Sequence, residues 1–162
     1  MVENPVVRSL MDPAPYSVSE DETLTMAWEV LERSGQRALP VVRADGCCAG
    51  VLDRAELAVA CAGAALPRRR VRDLVHPRRS VRLHPDEALS HAAAVMTEED
   101  TDALPVTDRR GQLVGLLTAR DYVAAAAGLH RRAAALAEGP ARVALPGLPP
   151  RPGAREHGIV IP

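Results

Sequence analysis

Leu113-Val114-Gly115-Leu116-Leu117-Thr118-Ala119-Arg120-Asp121 is the stretch whose reading decides the fold. Four large aliphatics without polar alternation read as a buried strand that runs through Thr118 into a helix. Thr118 has the chemistry of an N-cap, and a carboxylate at Asp121 can reach back to the cap's own N–H. A short polar turn between strand and helix also presents backbone donors to an anion. A capped helix and a nucleotide site are both open on this segment alone. What weighs on the choice is that the pattern occurs twice.

Sixty-five positions earlier stands Cys48-Ala49-Gly50-Val51-Leu52-Asp53-Arg54-Ala55-Glu56. The same shift of 65 maps Ala103-Leu104-Pro105-Val106 onto Ala38-Leu39-Pro40-Val41, and Gly111 and Gly115 onto Gly46 and Gly50. It carries Leu89, Ala92, Ala93 and Met96 onto Leu24, Ala27, Trp28 and Leu31. One extra residue near position 80 resets the shift to 64 upstream, where Val71-Arg72-Asp73-Leu74 matches Val7-Arg8-Ser9-Leu10. Gly and Pro in register at one shift mark an internal repeat of a supersecondary unit.

Each unit reads β-α-β-β-α. In the first, a helical lead-in over Val6–Met11 precedes a strand over Tyr16–Val18. Ser19 and Glu22 form a capping box for a helix that runs to about Ser34, where Gly35 ends it. A strand follows over Ala38–Arg43; Pro40 lacks a donor and is expected at an edge or strand start. Asp45-Gly46 is a turn signal, followed by a strand over Cys48–Leu52 and a helix from Arg54 to about Ala62. The second unit repeats the order: lead-in Val71–Val75, strand Val81–Leu83, helix Pro85–Thr97, strand Leu104–Asp108, then the opening strand and the helix from Ala119. These readings divide the chain into repeat 1 (6–63), repeat 2 (68–127), a helical extension (128–138) and a Pro-rich tail (139–162). The tail is expected to be mobile or an extended arm, and Ile159-Val160-Ile161 suits addition to a strand edge.

Composition narrows the function classes. Aromatics are 2% of the chain and Phe is absent, so the core must be Ala, Val and Leu in close backbone approach. A net charge of −1 gives no global argument for a nucleic acid or an acidic lipid as partner. Three cysteines, two of them adjacent, make no disulfide framework. No signal-peptide pattern or membrane-spanning apolar run is evident, so a reducing cytoplasm is the expected compartment. His76, His84, His91, His130 and His157 show no metal-ligand spacing. No nucleophile–base set or phosphate-binding Walker loop stands out, and catalysis is not expected.

The repeated β-α-β-β-α unit, the Leu-Pro-Val strand and the Gly-x-Leu-x-x-x-x-Asp finish together resemble CBS domains, a tandem pair of which is often called a Bateman module. The resemblance covers roughly residues 6–127. It implies an α/β fold of two repeats packed about a pseudo-two-fold axis, with clefts between them that bind AMP, ADP, ATP or S-adenosylmethionine. Carried onto the second repeat, it implies that Thr118 holds phosphate or ribose, that Asp121 accepts from both ribose hydroxyls, and that Arg120 pairs with phosphate. Val81, Arg82 and Leu83 would give one wall and backbone contacts; Ala103, Leu104 and Pro105 would give the other. In the first repeat the matching positions are Ser17, Val18, Ala38, Pro40, Asp53 and Glu56. There Asp53 puts a carboxylate where Thr or Ser is expected, and Glu56 is one methylene longer than Asp. That cleft is expected to be empty, or to take an uncharged nucleoside or a metal-bridged ligand.

Three functions follow: a stand-alone regulatory module with an adenine nucleotide as regulatory ligand and no required cofactor; a ligand-free dimerisation module of the same fold; and a nucleic-acid binder using the arginines of 68–82. Those arginines are otherwise a solvated linker that partly balances Glu98, Glu99, Asp100 and Asp102. Leu57, Val59, Tyr122 and Val123 on the last helix of each unit suggest a two-fold homodimer. Arg120 and Arg82, with Arg37 or Arg54 from the other repeat, are the candidates to neutralise a polyphosphate.

Overall fold

The computed structural model describes residues 4–63, 68–75, 81–129 and the backbone of 142–143. Repeat 1 supplies β1 (Tyr16–Ser19), α1 (Leu24–Ser34), β2 (Ala38–Val42), β3 (Cys48–Asp53) and α2 (Arg54–Cys61). Repeat 2 supplies α3 (Leu89–Glu98), β4 (Ala103–Thr107), β5 (Leu113–Thr118) and α4 (Ala119–Ala126). Short 3-10 turns at Val7–Ser9 and Val71–Asp73 form the two lead-ins. β2 lies parallel to β1 and antiparallel to β3, and β4 and β5 pair antiparallel in the matching register. The strand expected over Val81–Leu83 is reduced to a single parallel bridge, Leu83 with Val106.

Each lead-in packs on the repeat that it does not introduce. Val7 is fully buried in the core of repeat 2, among Leu83, Ala92, Leu104 and Leu117, with Leu10 and Met11 against it. Val71 is fully buried in the core of repeat 1, with Leu74 and Val75 against it. The backbone contacts are reciprocal as well. Val7 N–H and Arg8 N–H donate to the carbonyls of Glu87 and Pro85, while Val71 N–H and Arg72 N–H donate to those of Glu22 and Glu20. The ion pairs Arg8–Asp86 and Arg72–Asp21 repeat the symmetry. These exposed pairs add little energy. The buried valines and the backbone bonds carry the joint.

This exchange corrects two expected helix starts. α1 begins at Leu24 and not near Ser19, because the carbonyls of Glu20 and Glu22 are taken by the second lead-in. Thr23 is the N-cap, its Oγ1 accepting from Met26 N–H at 3.1 Å. Ser19 ends β1 in register with Val42. α3 likewise begins at Leu89 and not at Pro85, whose carbonyl accepts from Arg8.

Glycine stands where the other repeat's lead-in crosses. A Cβ on Gly115 would sit 2.5 Å from Met11 Sδ and 2.9 Å from Asp12 O, and one on Gly50 would sit 2.8 Å from Val75 Cγ1. Asp12 exchanges both backbone bonds with Leu116 at this crossing. Closer to the pseudo-axis, Ala38, Ala103 and Leu116 form a small cluster, which short side chains at 38 and 103 permit. The two hairpin turns also pair: Cys48 N–H donates to Gly111 O, and Leu113 N–H to Gly46 O.

Pro40 is not at an edge. It lies within β2, which is flanked by β1 and β3. In this parallel register a donor at position 40 would face Tyr16 O, and Gln36 Nε2 meets that carbonyl instead at 3.1 Å. Gln36 also accepts from Tyr16 N–H at 2.7 Å and donates to Ala38 O at 3.1 Å. The side-chain amide thus completes the ladder that proline interrupts. Of the tail, Arg142–Val143 pairs parallel with Tyr16 and Ser17 on the outer side of β1, as a sixth strand, β6. The rest of the tail, Ile159-Val160-Ile161 included, and the helical extension beyond Leu129 lie outside the described residues.

Candidate functional site

The two strand-to-helix junctions, β3 into α2 and β5 into α4, open into one groove between the repeats. It is broad, at ≈ 1860 Å³, and both repeats line it. A pocket for one drug-sized ligand occupies about 300–1000 Å³, so the groove has room for a ligand at each end.

At the second-repeat end, the capping box expected from the sequence is present. Thr118 N–H and Thr118 Oγ1–H both donate to Asp121 Oδ2 at 2.8 Å, and Asp121 N–H donates to Thr118 Oγ1 at 3.3 Å. Asp121 is buried, at 5% exposure. The next amide, Ala119 N–H, donates to Asp102 O at 2.8 Å, which ties the acidic loop 98–102 to the start of α4. Glu98, Glu99, Asp100 and Asp102 line the groove there. Of the linker arginines, Arg72 pairs with Asp21.

At the first-repeat end the cap is one-sided. Asp53 Oδ1 accepts from Ala55 N–H at 2.6 Å, and Arg54 N–H donates to Arg37 O at 3.0 Å. Asp53 and Glu56 are both exposed, and both line the groove.

The residues named as walls divide. Val81, Ala103, Leu104, Pro105 and Ala38 line the groove. Leu83 and Val18 are core residues, at 1% exposure each. Leu83 has no backbone group left for a ligand on the β4 side, since its N–H donates to Pro105 O and its carbonyl accepts from Thr107 N–H. Ser17 and Pro40 are buried within the sheet.

The four arginines divide too. Arg120 and Arg37 are exposed on the groove. Arg54 is held by an ion pair with Glu32 and stacks over Trp28 at 5.0 Å from the ring centroid. Arg82 lies at the paired hairpin turns, with Nη1 3.7 Å from the Cβ position of Gly111. The sequence reading missed Gln36 and Tyr16 as lining residues. Gln36 carries no periodic signal; its neighbour Gly35 announces only a helix end.

Among the described residues no group of three His, Cys, Asp or Glu side chains is placed to hold a metal ion. Desolvation is the main cause that raises the Cys47, Cys48 and Cys61 thiols above their ordinary value, which disfavours a thiolate at neutral pH.

A fold of two tandem repeats of one α/β unit, whose strand-to-helix junctions meet in a groove between them, is that of CBS domain pairs. The CBS domain family model matches residues 7–63 and 71–128, and the chain belongs to that family. Homoserine O-acetyltransferase of Methanosarcina acetivorans is 28% identical over 121 residues, which span 74% of this chain but only 21% of the acetyltransferase. Among solved structures, the CBS domain pair of protein MJ0100, in complex with 5'-methylthioadenosine and S-adenosyl-L-methionine, superposes with a TM-score of 0.68 at 21% identity. That match covers 76% of this chain and 97% of the other. CBSX2 in complex with AMP gives 0.67 at 25% identity, covering 78% and 98%. The cytosolic domain of the magnesium channel MgtE, in complex with ATP, gives 0.61 at 30% identity, covering 72% and 46%.

The capping geometry sets an expectation for the ligand-free protein. Asp121→Ala should lower stability by about 0.5–2 kcal/mol through loss of the cap. Glu56→Ala, on the surface, should change it by less than about 0.5 kcal/mol. Urea unfolding of the two variants checks both.

Proposed function

We propose that this chain is a regulatory module that binds an adenosine compound in the groove between its repeats and acts through another protein. The observation that carries the reading is the convergence of both strand-to-helix junctions and the starts of β2 and β4 on one groove. The adenosine compounds held by the CBS pairs of MJ0100, CBSX2 and MgtE support it. On this reading Thr118 and Asp121 hold the ribose, Val81 and Ala103–Pro105 wall the purine, and no catalytic residue is assigned.

Ribose recognition is compatible with the cap. A carboxylate has two oxygens and about four acceptor positions.

A second reading, self-association through the last helices of the repeats, is favoured by a specific observation. Val59 on α2 and Val123 on α4 are 76% and 69% exposed. The other two residues expected on that surface are already covered. Leu57 is fully buried, and Tyr122 is half-buried with its hydroxyl donating to Leu89 O at 2.6 Å. We therefore propose a homodimer resting on Val59 and Val123. Light scattering at tens of micromolar protein should give the dimer mass; a monomer mass for the full chain contradicts it.

Thermal shift with a panel of adenosine compounds tests the main reading. A ligand at 100 times its Kd should stabilise the fold by about 2.7 kcal/mol. Asp121→Ala should lose most of that shift and Glu56→Ala should keep most of it. A panel in which no adenosine compound moves the transition contradicts the reading.

A further inference from the structure

We propose that the groove selects an adenosine compound whose sugar-end substituent is uncharged or positive, and discriminates against a free di- or triphosphate. Asp53, Glu56 and the loop 98–102 are the specificity-determining residues. The proposal rests on the adenosine reading above and adds to it the charge of the ligand.

Backbone donors come first. An anion at a helix start is held by first-turn N–H groups. At α4 those of Ala119 and Asp121 already donate, to Asp102 O and Thr118 Oγ1. At α2 those of Arg54 and Ala55 donate to Arg37 O and Asp53 Oδ1. Two of the four acceptors belong to acidic residues, the Asp102 carbonyl and the Asp53 carboxylate. The Thr118 hydroxyl, which would have to donate to a phosphate oxygen, gives its one proton to Asp121.

Side-chain charge points the same way. Of the four arginines able to neutralise a polyphosphate by motif, Arg54 is occupied by Glu32 and Trp28, and Arg82 lies at the hairpin turns. Arg37 and Arg120 remain on the groove. The described residues that line it comprise eight carboxylates and three arginines, Arg54 included. Asp53 and Glu56 bring carboxylate to one end, and the loop 98–102 brings it to the other. Charges within about 8 Å act with little screening at physiological ionic strength. A cleft lined by one sign concentrates ligands of the opposite sign and repels those of its own. A sulfonium, an ammonium or a neutral thioether at the sugar end meets these carboxylates favourably. Three phosphates do not.

Titration calorimetry on the full chain in a metal-free buffer, with adenosine, S-adenosylmethionine and ATP, decides the matter. S-adenosylmethionine and adenosine should bind about tenfold or more tighter than ATP, and added salt should narrow the gap by screening. Asp53→Asn combined with Glu56→Gln should reduce the ratio to about threefold or less; Asn caps a helix as well as Asp does, so α2 keeps its start. If ATP gains affinity only once Mg²⁺ is added, the proposal is supported, because the metal cancels the charge that the carboxylates reject. Metal-free ATP that binds as tightly as S-adenosylmethionine overturns it, and so does a ratio that the double variant leaves unchanged. Binding of all three in the wrong order leaves the adenosine reading standing. Binding of none of them removes that reading and this proposal together.

Discussion

Val7 is buried in a core built by residues from Leu83 to Leu117 of the other repeat, and Val71 closes the core of the repeat it follows. The rest of the structure depends on this reciprocal burial. Each repeat is small: repeat 1 has three strands and two helices, and repeat 2 has two strands, one further bridge and two helices. A unit of about 60 residues buries only about 60% of the surface that its unfolded chain exposes, which leaves its stability marginal. The lead-ins supply the missing apolar cover. Their backbone amides take the carbonyls of Glu20, Glu22, Pro85 and Glu87, which would otherwise belong to the first turns of the two long helices. The joint costs side-chain volume, and Gly50 and Gly115 are its mark on the sequence.

The groove follows from the same joint. With the lead-ins crossing at Gly50 and Gly115, β3 packs against β4 of the other repeat, and the starts of α2 and α4 line one groove. Thr118 and Asp53 are equivalent by the repeat and differ by one functional group. A hydroxyl makes a closed, reciprocal cap with Asp121. A carboxylate makes an open cap and leaves Glu56 exposed. Two equivalent positions thus give two ends of a groove with different chemistry.

Much of the fold was legible in the sequence. The repeat at a near-constant shift, the Gly and Pro in register and the 3.6-residue spacing of α1 are short-range signals, and the elements that they announce are present apart from the strand over Val81–Leu83, which is a single bridge. Thr118 and Asp121 declared their cap in the same way. What the sequence did not disclose is long-range. Ser19 with Glu22 satisfies a capping box on paper, but pairing of Ser19 with β2 takes precedence. Pro40 suggests an edge until Gln36 is seen to replace its missing donor. Arg82 and Arg54 look like phosphate ligands by position, yet Arg54 is taken by Glu32, 22 residues away, and Arg82 sits beside Gly111 at the hairpin turn. The acidic loop 98–102 faces the groove because one carbonyl, Asp102 O, accepts from Ala119, which no local pattern reveals.

The central claim, that the exchanged lead-ins make the two repeats one cooperative unit, can be tested directly. Trp28, the only tryptophan, packs against the core of repeat 1. Val7 belongs to the core of repeat 2. Urea unfolding of Val7→Ala should therefore be followed in parallel by Trp28 fluorescence and by far-ultraviolet circular dichroism. The account predicts a single transition in both signals, moved together to lower urea, although the deleted methyl groups lie in the other repeat. A Trp28 transition that stays at its wild-type midpoint while the dichroism signal splits into two steps would contradict it.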